Sequence, residues 1–210
     1  GSGLSAIWQY EAQFEIAGGA SAFAGTRNSG IGLSGAFGQV IAGNWDTPFK
    51  TAHNKIELFD NTTSFPALNL IGRAGNGAAA AVGNANYNTR QTAVVEYWTP
   101  KFGALQGAVS YSPDATPETT STVAPIGTGD QSKLSFSGTY EQDAIYASAA
   151  YERRTNPNTG AGLGGTTDSG LRLVGKYTLG DYWVGGTIER ITVNTTATAS
   201  FTQSNLELVG

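Results

Sequence analysis

The chain has 210 residues, 13% of them charged, a formal net charge of -4, 29 glycines, one histidine and neither cysteine nor methionine. That length suffices for one large β domain, and the charged fraction is well below the roughly one quarter of ordinary soluble domains. A chain without cysteine has no disulfide scaffold or thiolate metal site, a lone His53 excludes a histidine cluster, and dispersed lysines and arginines form no basic stripe for nucleic acid.

Residues 4–16 alternate, with Leu4, Ala6, Trp8, Tyr10, Ala12, Phe14 and Ile16 on one parity and Ser5, Gln9, Glu11, Gln13 and Glu15 on the other. Successive strand side chains point to opposite faces, so this predicts a strand with one apolar and one polar face. Small residues 17–25 form a loop, and strands are predicted at 27–34 and 37–44, joined tightly at 35–38. Residues 46–89 are one long irregular stretch. Alternation resumes at 90–98, placing Ala93, Val95 and Tyr97 on one face and Arg90, Thr92, Val94 and Glu96 on the other. A Pro and Gly turn at 99–103 leads into a strand at 104–111, and residues 112–131, rich in Thr, Pro and Gly, form a loop. Strands at 133–140 and 145–152 flank a tight turn at 141–144; a loop at 153–168 follows. Strands at 171–178 and 182–191 meet at the turn 179–181, and a last strand covers 204–209.

Short turns and long loops thus alternate strictly. All the turns then lie at one end of a sheet and all the loops at the other, which is the pattern of an up-and-down barrel. Tyr10, Phe14, Tyr97, Tyr111, Tyr140, Tyr151, Tyr177 and Tyr182 fall near strand ends, as an interfacial girdle requires. The apolar parity of the strands assigned a facing, which leaves open that of 182–191, carries no charge, and a charge facing lipid at the midplane costs roughly 2 to 4 kcal/mol. The predicted fold is an all-β transmembrane antiparallel barrel. Its polar parity supplies Gln9, Glu11, Gln13, Glu15, Glu96, Lys133, Arg172 and Lys176 as candidate pore-wall residues.

Other motifs are weaker. Residues 30–35, GIGLSG, satisfy G-x-G-x-x-G, but a strand follows where a dinucleotide site needs a helix. Glu11 and Glu15 resemble a glycosidase pair, which would suit a soluble β-sandwich that binds or cleaves carbohydrate. Four strand residues span about 13 Å, however, beyond the roughly 5 to 9.5 Å that such catalysis uses.

The stretch RNSGIGLSGAFGQVIAGNWDTPFK, with GLSAIWQYE before it and RQTAVVEYWTPKFGALQGAVSYS after it, resembles the general porins of β-proteobacteria, the family of the neisserial porins. The resemblance implies a sixteen-stranded, trimeric outer-membrane barrel that passes ions and small hydrophilic solutes, with no cofactor and no catalytic residue. About ten strands are visible, matching the third to the twelfth of such a barrel, so an internal fragment is expected. The resemblance also implies that the long stretch 46–89 is the loop that folds inward and narrows the pore. It brings Asp46, Lys50, Lys55, Glu57, Asp60 and Arg73, with Phe49, Phe59 and Phe65 to anchor it, and Arg27 and Arg90 match the facing wall. Opposed charges of this kind set a transverse field, and a small positive excess implies mild anion preference.

Overall fold

The computed structural model describes residues 3–12, 27–58, 71–74, 85–113, 132–155, 166–194 and 200–210. Ten strands form a single antiparallel sheet in the order β1 (Ser5–Gln9), β2 (Ser29–Gly35), β3 (Gly38–Asp46), β6 (Arg90–Trp98), β7 (Leu105–Pro113), β8 (Ser132–Gln142), β9 (Ile145–Thr155), β10 (Thr167–Leu179), β11 (Tyr182–Asn194) and β12 (Ser200–Val209). Between β3 and β6 the chain forms one helical turn, α1 (Pro48–Thr51), and a separate two-stranded ribbon of β4 (Arg73–Ala74) and β5 (Ala85–Asn86). Apart from that excursion each strand pairs with the next in sequence, so the meander expected from alternating turns and loops is the observed topology. The sheet does not close on itself: among the described residues β1 and β12 each keep one unpaired edge.

The period-2 pattern sorts the two faces as predicted. One face exposes large apolar side chains, among them Trp8 at 78%, Ile188 at 61% and Leu206 at 70%, with Leu134, Phe136 and Leu171 between them. On the opposite face Ser110, Ser135, Glu152, Arg172 and Glu189 are buried. This inverts the order of a soluble protein, in which polar groups face water and apolar groups the core. A β-sandwich would cover the apolar face with a second sheet, and among the described residues none lies there. The sandwich alternative is therefore set aside.

Two departures from the expected pattern have clear causes. In β6, Gly43 pairs with Val94 and Trp45 with Gln91, so Thr92 and Ala93 together oppose Asn44 in a bulge, with Ala93 at φ 52°. The extra residue resets the parity: Val94 and Glu96 are buried as expected, but beyond the bulge Gln91 takes the inner position, and Thr92 and Arg90 leave the parity on which alternation placed them. Strands β9 and β10 also run further than alternation suggested, because residues 153–155 and 167–170 are polar on both parities and read as loop. The tight turn after β2 was legible. At Gly38, with φ 104°, a Cβ would lie 2.1 Å from the Trp98 carbonyl oxygen, which leaves room only for glycine.

The buried apolar residues lie between the polar face and the segment that follows β3. Phe49, Ala52, Ala74 and Tyr87 pack on Ala150, Ile191 and Val193, and Ile56 packs on Tyr146 and Val174.

Candidate functional site

The segment that leaves β3 turns at once onto the polar face. Thr47 caps α1, its hydroxyl accepting from the Lys50 N–H at 3.3 Å, and Pro48 takes the first helical position, where no N–H is needed. Thr47 Oγ1 donates to Glu152 Oε2 at 2.9 Å, and the Phe49 N–H donates to Ser135 Oγ at 3.0 Å. Further along, Tyr146 donates its hydroxyl to the Ala52 carbonyl at 2.9 Å and Lys176 Nζ donates to the Lys55 carbonyl at 3.1 Å. Lys55 Nζ pairs with Glu141 at 2.7 Å, beside the β8–β9 turn. From Ser135 to Glu141 is about 20 Å along β8. Residues 47–58 therefore cross the polar face from the long-loop end to the short-turn end.

Two wall arginines hold this segment. Arg172 is fully buried; its guanidinium pairs with Glu189 at 2.6 Å, donates to the Phe49 carbonyl at 3.0 Å and to Asn88 Oδ1 at 2.9 Å, and lies 4.2 Å over the Phe49 ring. Glu189 also accepts from the Gly72 N–H at 2.6 Å and from Asn205 Nδ2 at 2.9 Å. Arg154 stacks 3.9 Å over the Tyr87 ring and donates to Glu152 at 2.8 Å. The Phe49 and Tyr87 rings, 5.3 Å apart, rest over Gly170, where a Cβ would meet ring atoms of both at 3.1 Å. A buried guanidinium is tolerable only when its donors are met, and at Arg172 the Phe49 carbonyl and Asn88 supply the acceptors that Glu189 does not.

At the long-loop end a second group gathers four of the residues expected at a constriction. Asp46 stands directly opposite Arg90 and receives Arg90 Nε at 3.3 Å, Lys50 Nζ at 2.5 Å and Asn28 Nδ2 at 3.2 Å. Arg90 also donates to Asn28 Oδ1 at 2.9 Å, and Arg27 pairs with Glu11. Three cations thus meet two carboxylates, an excess of one positive charge. Burial draws the Lys50 ammonium below the ordinary lysine range, and the attraction of Asp46 opposes this.

The other expected site residues lie elsewhere. Lys55 and Lys176 meet at the short-turn end. Glu57 approaches His53 Nδ1 at 3.5 Å, while His53 Nε2 contacts Glu207 at 2.6 Å. Arg73 is exposed on β4, opposite Asn86. Among the wall candidates, Glu96 and Arg172 are fully buried and do not line open space; the reason for Arg172 is the inserted segment lying on it. Lys133 is half-buried and donates to Gln91, and Gln9 is exposed on β1. Gln13, Glu15, Phe59, Asp60 and Phe65 lie outside the described residues. Sequence reasoning missed Glu152, Arg154 and Glu189, whose signal was the continued inward parity of β9 and β11.

An antiparallel sheet with a lipid-type apolar face, a charged inner face and a segment folded against that inner face defines the wall of an outer-membrane β-barrel. A family model described as Gram-negative porin matches residues 1–209, and the chain belongs to that family. Its place is the bacterial outer membrane. Major outer membrane protein P.IA of Neisseria meningitidis serogroup B (strain MC58) is 31% identical over 113 residues, 54% of this chain and 26% of the relative. Major outer membrane protein P.IB of Neisseria lactamica is 30% identical over 113 residues, 54% of this chain and 30% of the relative. Among solved structures, the anion-selective porin from Comamonas acidovorans matches with TM-score 0.77 and 23% identity, over 99% of this chain and 59% of that one. A loop-deletion mutant of OmpT from Vibrio cholerae matches with TM-score 0.55 and 14% identity, over 88% of this chain and 56% of that one. The matched stretch spans between a quarter and a third of these Neisseria proteins, and the chain a little over half of each structure.

Proposed function

We propose that the whole protein is a passive, water-filled channel for ions and small hydrophilic solutes, assembled as a homotrimer, with residues 46–89 narrowing the pore and no catalytic role. The observation that carries this reading is the course of residues 47–58 over the polar face, anchored from Ser135 to Glu141. In a closed barrel that face is the lumen, so an element lying on it occupies cross-section that solutes would otherwise use. Channel recording from the full-length protein in planar bilayers, together with solute flux into liposomes, tests it. Stable conductance steps and size-limited flux are expected, and a folded, inserted, silent protein refutes the proposal. Cross-linking in native membranes tests the trimer.

Arg27, Arg90 and Lys50, opposed by Asp46 and Glu11, form the charge-selecting group in this reading. The whole chain carries -4, which favours cations, but charges farther off than a Debye length of about 8 Å are screened at physiological salt. The local positive excess acts on ions that have shed part of their water in a narrow, low-dielectric passage. Mild anion preference is the outcome. The Comamonas neighbour is described as anion-selective, and here the preference rests on this chain's own charges.

A further inference from the structure

Residues 47–58 are anchored on β8, β9, β10 and β12, and the short-turn end of the adjoining wall, built from β2, β3, β6 and β7, carries a cavity of about 380 Å³. That size falls within the roughly 300 to 1,000 Å³ of small-molecule sites. Ser34, Gln39 and Trp98 form one cross-strand row, Ser34 opposite Gln39 and Gln39 opposite Trp98, and the period of 2 turns all three inward. Gln106 and the turn at residues 99–101 close the other side.

The rim is fixed by the protein's own bonds. Gln106 Nε2 donates to the Thr99 carbonyl at 3.0 Å, the Gly107 N–H donates to Thr99 Oγ1 at 2.9 Å, and Thr99 Oγ1 donates to the Pro100 carbonyl at 2.8 Å. The Trp98 ring meets Trp45 edge-on, with centroids 6.2 Å apart and planes at 74°, so its orientation is set before any ligand arrives. The groups that line the space are by contrast unengaged. Among the described residues the Ser34 hydroxyl, the Gln39 amide and the Trp98 indole N–H have no hydrogen-bond partner, and Gln106 keeps its amide oxygen. Lys101 is exposed with no carboxylate at ion-pair distance; Glu141, which acts on it from farther off, is paired with Lys55 at 2.7 Å. Glu96, the inward residue before Trp98 on β6, is fully covered and takes no part in the lining.

These features select a ligand. An indole face is apolar and carries the negative pole of the ring quadrupole, so it suits a second ring that presents C–H groups. The amides and hydroxyl beside it can donate and accept, as the hydroxyls of a sugar do. An ammonium at the rim favours an acid on that ring over a base. A pyranose bearing a carboxylate meets all three conditions, whereas an aliphatic acid leaves the indole in water and a neutral sugar leaves Lys101 unpaired.

We infer that this cavity is a binding subsite for acidic monosaccharides of the hexuronate class, on the short-turn side of the constriction. The inference rests on the reading of the inner face as the lumen. Along β6 from Arg90 to Trp98 is roughly 25 Å, so a solute that clears the charged group meets the cavity on its way to the short-turn mouth. A site in a pore must release what it binds, so millimolar affinity is expected.

The test is saturation-transfer NMR on the full-length protein in neutral detergent, with sodium D-glucuronate, D-glucose and succinate as probes. Binding is read without flux: a silent channel leaves the result intact, and a conducting channel that binds no glucuronate overturns this inference alone. Glucuronate should bind about fivefold more tightly than glucose and more tightly than succinate, with saturation strongest on its ring protons. Trp98→Ala should weaken glucuronate about tenfold and Trp98→Phe, which keeps a ring, only about twofold, which separates stacking from misfolding. Lys101→Gln should remove the advantage of glucuronate over glucose, and Lys101→Arg should keep it. Equal glucuronate binding by Trp98→Ala, succinate binding as tight as that of glucuronate, or an undiminished glucuronate preference in Lys101→Gln each overturns the proposal.

Discussion

Replacing Arg172 by Met removes the group that ties the inserted segment to the wall while keeping most of its volume. Glu189 would stay buried without its guanidinium, and breaking a buried pair in this way costs about 3 to 5 kcal/mol. The Gly72 N–H and Asn205 still donate to Glu189, which places the loss at the lower end of that range. The segment itself loses the bonds to the Phe49 carbonyl and to Asn88 and the stacking on the Phe49 ring. Bonds from a charged donor are worth about 1.5 to 3 kcal/mol each, and the stacking about 0.5 to 2, but the contributions share one side chain and do not add. A net loss of about 3 kcal/mol in docking raises the undocked population about 100-fold. Single-channel recordings should show larger, noisier conductance, and urea unfolding should show a lower midpoint. Arg172→Met/Glu189→Gln separates the two effects: stability should recover in part, because no unpaired charge remains, while the conductance stays altered. Native conductance and native stability in Arg172→Met would refute the assignment of Arg172 as the anchor.

Three further outcomes follow from the same geometry. Gly170→Val, which drives methyl groups into the Phe49 and Tyr87 rings, should cost about 1 to 3 kcal/mol in urea unfolding and raise conductance, whereas Gly175→Val, with nothing within 4 Å of its Cβ position, should change neither. Arg27→Gln/Arg90→Gln should move the reversal potential in a salt gradient toward cations, and an unchanged reversal would place this pair outside the selecting group. Lys50 loses its proton as pH rises, and burial moves that loss below the ordinary lysine range, so anion preference should begin to fall before free lysines titrate; Lys50→Arg, which keeps its charge, should flatten the dependence.

The topology was legible because it rests on period-2 alternation and on turn chemistry, both local properties of the chain. Leu134 and Phe136 opposite Ser135 and Ser137 specify the faces of β8 without any knowledge of its neighbours. The pair of Arg90 with Asp46 was half legible, since each residue was singled out but their direct opposition depends on the bulge at Thr92 and Ala93. The single turn α1 was not legible: Thr47 caps it and Pro48 takes its first position, but one turn leaves no periodicity to find. Least legible was the fate of Arg172. Its parity placed it correctly on the inner face, but only a segment more than a hundred residues away in sequence decides that this face is covered at that point.

The covering explains why so polar a wall is stable. A lipid-facing barrel draws its outer stabilisation from the bilayer, so the inner face is free to carry charge, but a charge buried under a loop still costs several kcal/mol unless its partners are complete. Here completion is shared between wall and loop: Glu189 takes Arg172 from the wall and the Gly72 N–H from the loop, and Glu152 takes Arg154 from the wall and the Thr47 hydroxyl from the loop. Neither partner is satisfied alone. Withdrawing the loop would leave Arg172 without the Phe49 carbonyl and Asn88 and leave the Phe49 and Tyr87 rings without their cations. Docking is therefore favoured by hydrogen bonding and stacking together, and its strength is set at the wall positions 152, 154, 172 and 189 rather than within the loop. The proposed charge-selecting group of Arg27, Lys50 and Arg90 lies at the long-loop end of the sheet, joined to the docking network through Thr47 and Lys50 at the two ends of one helical turn. A substitution in the docking network should thus alter selectivity by moving Lys50, whereas a substitution at Arg27 should alter selectivity and leave docking intact.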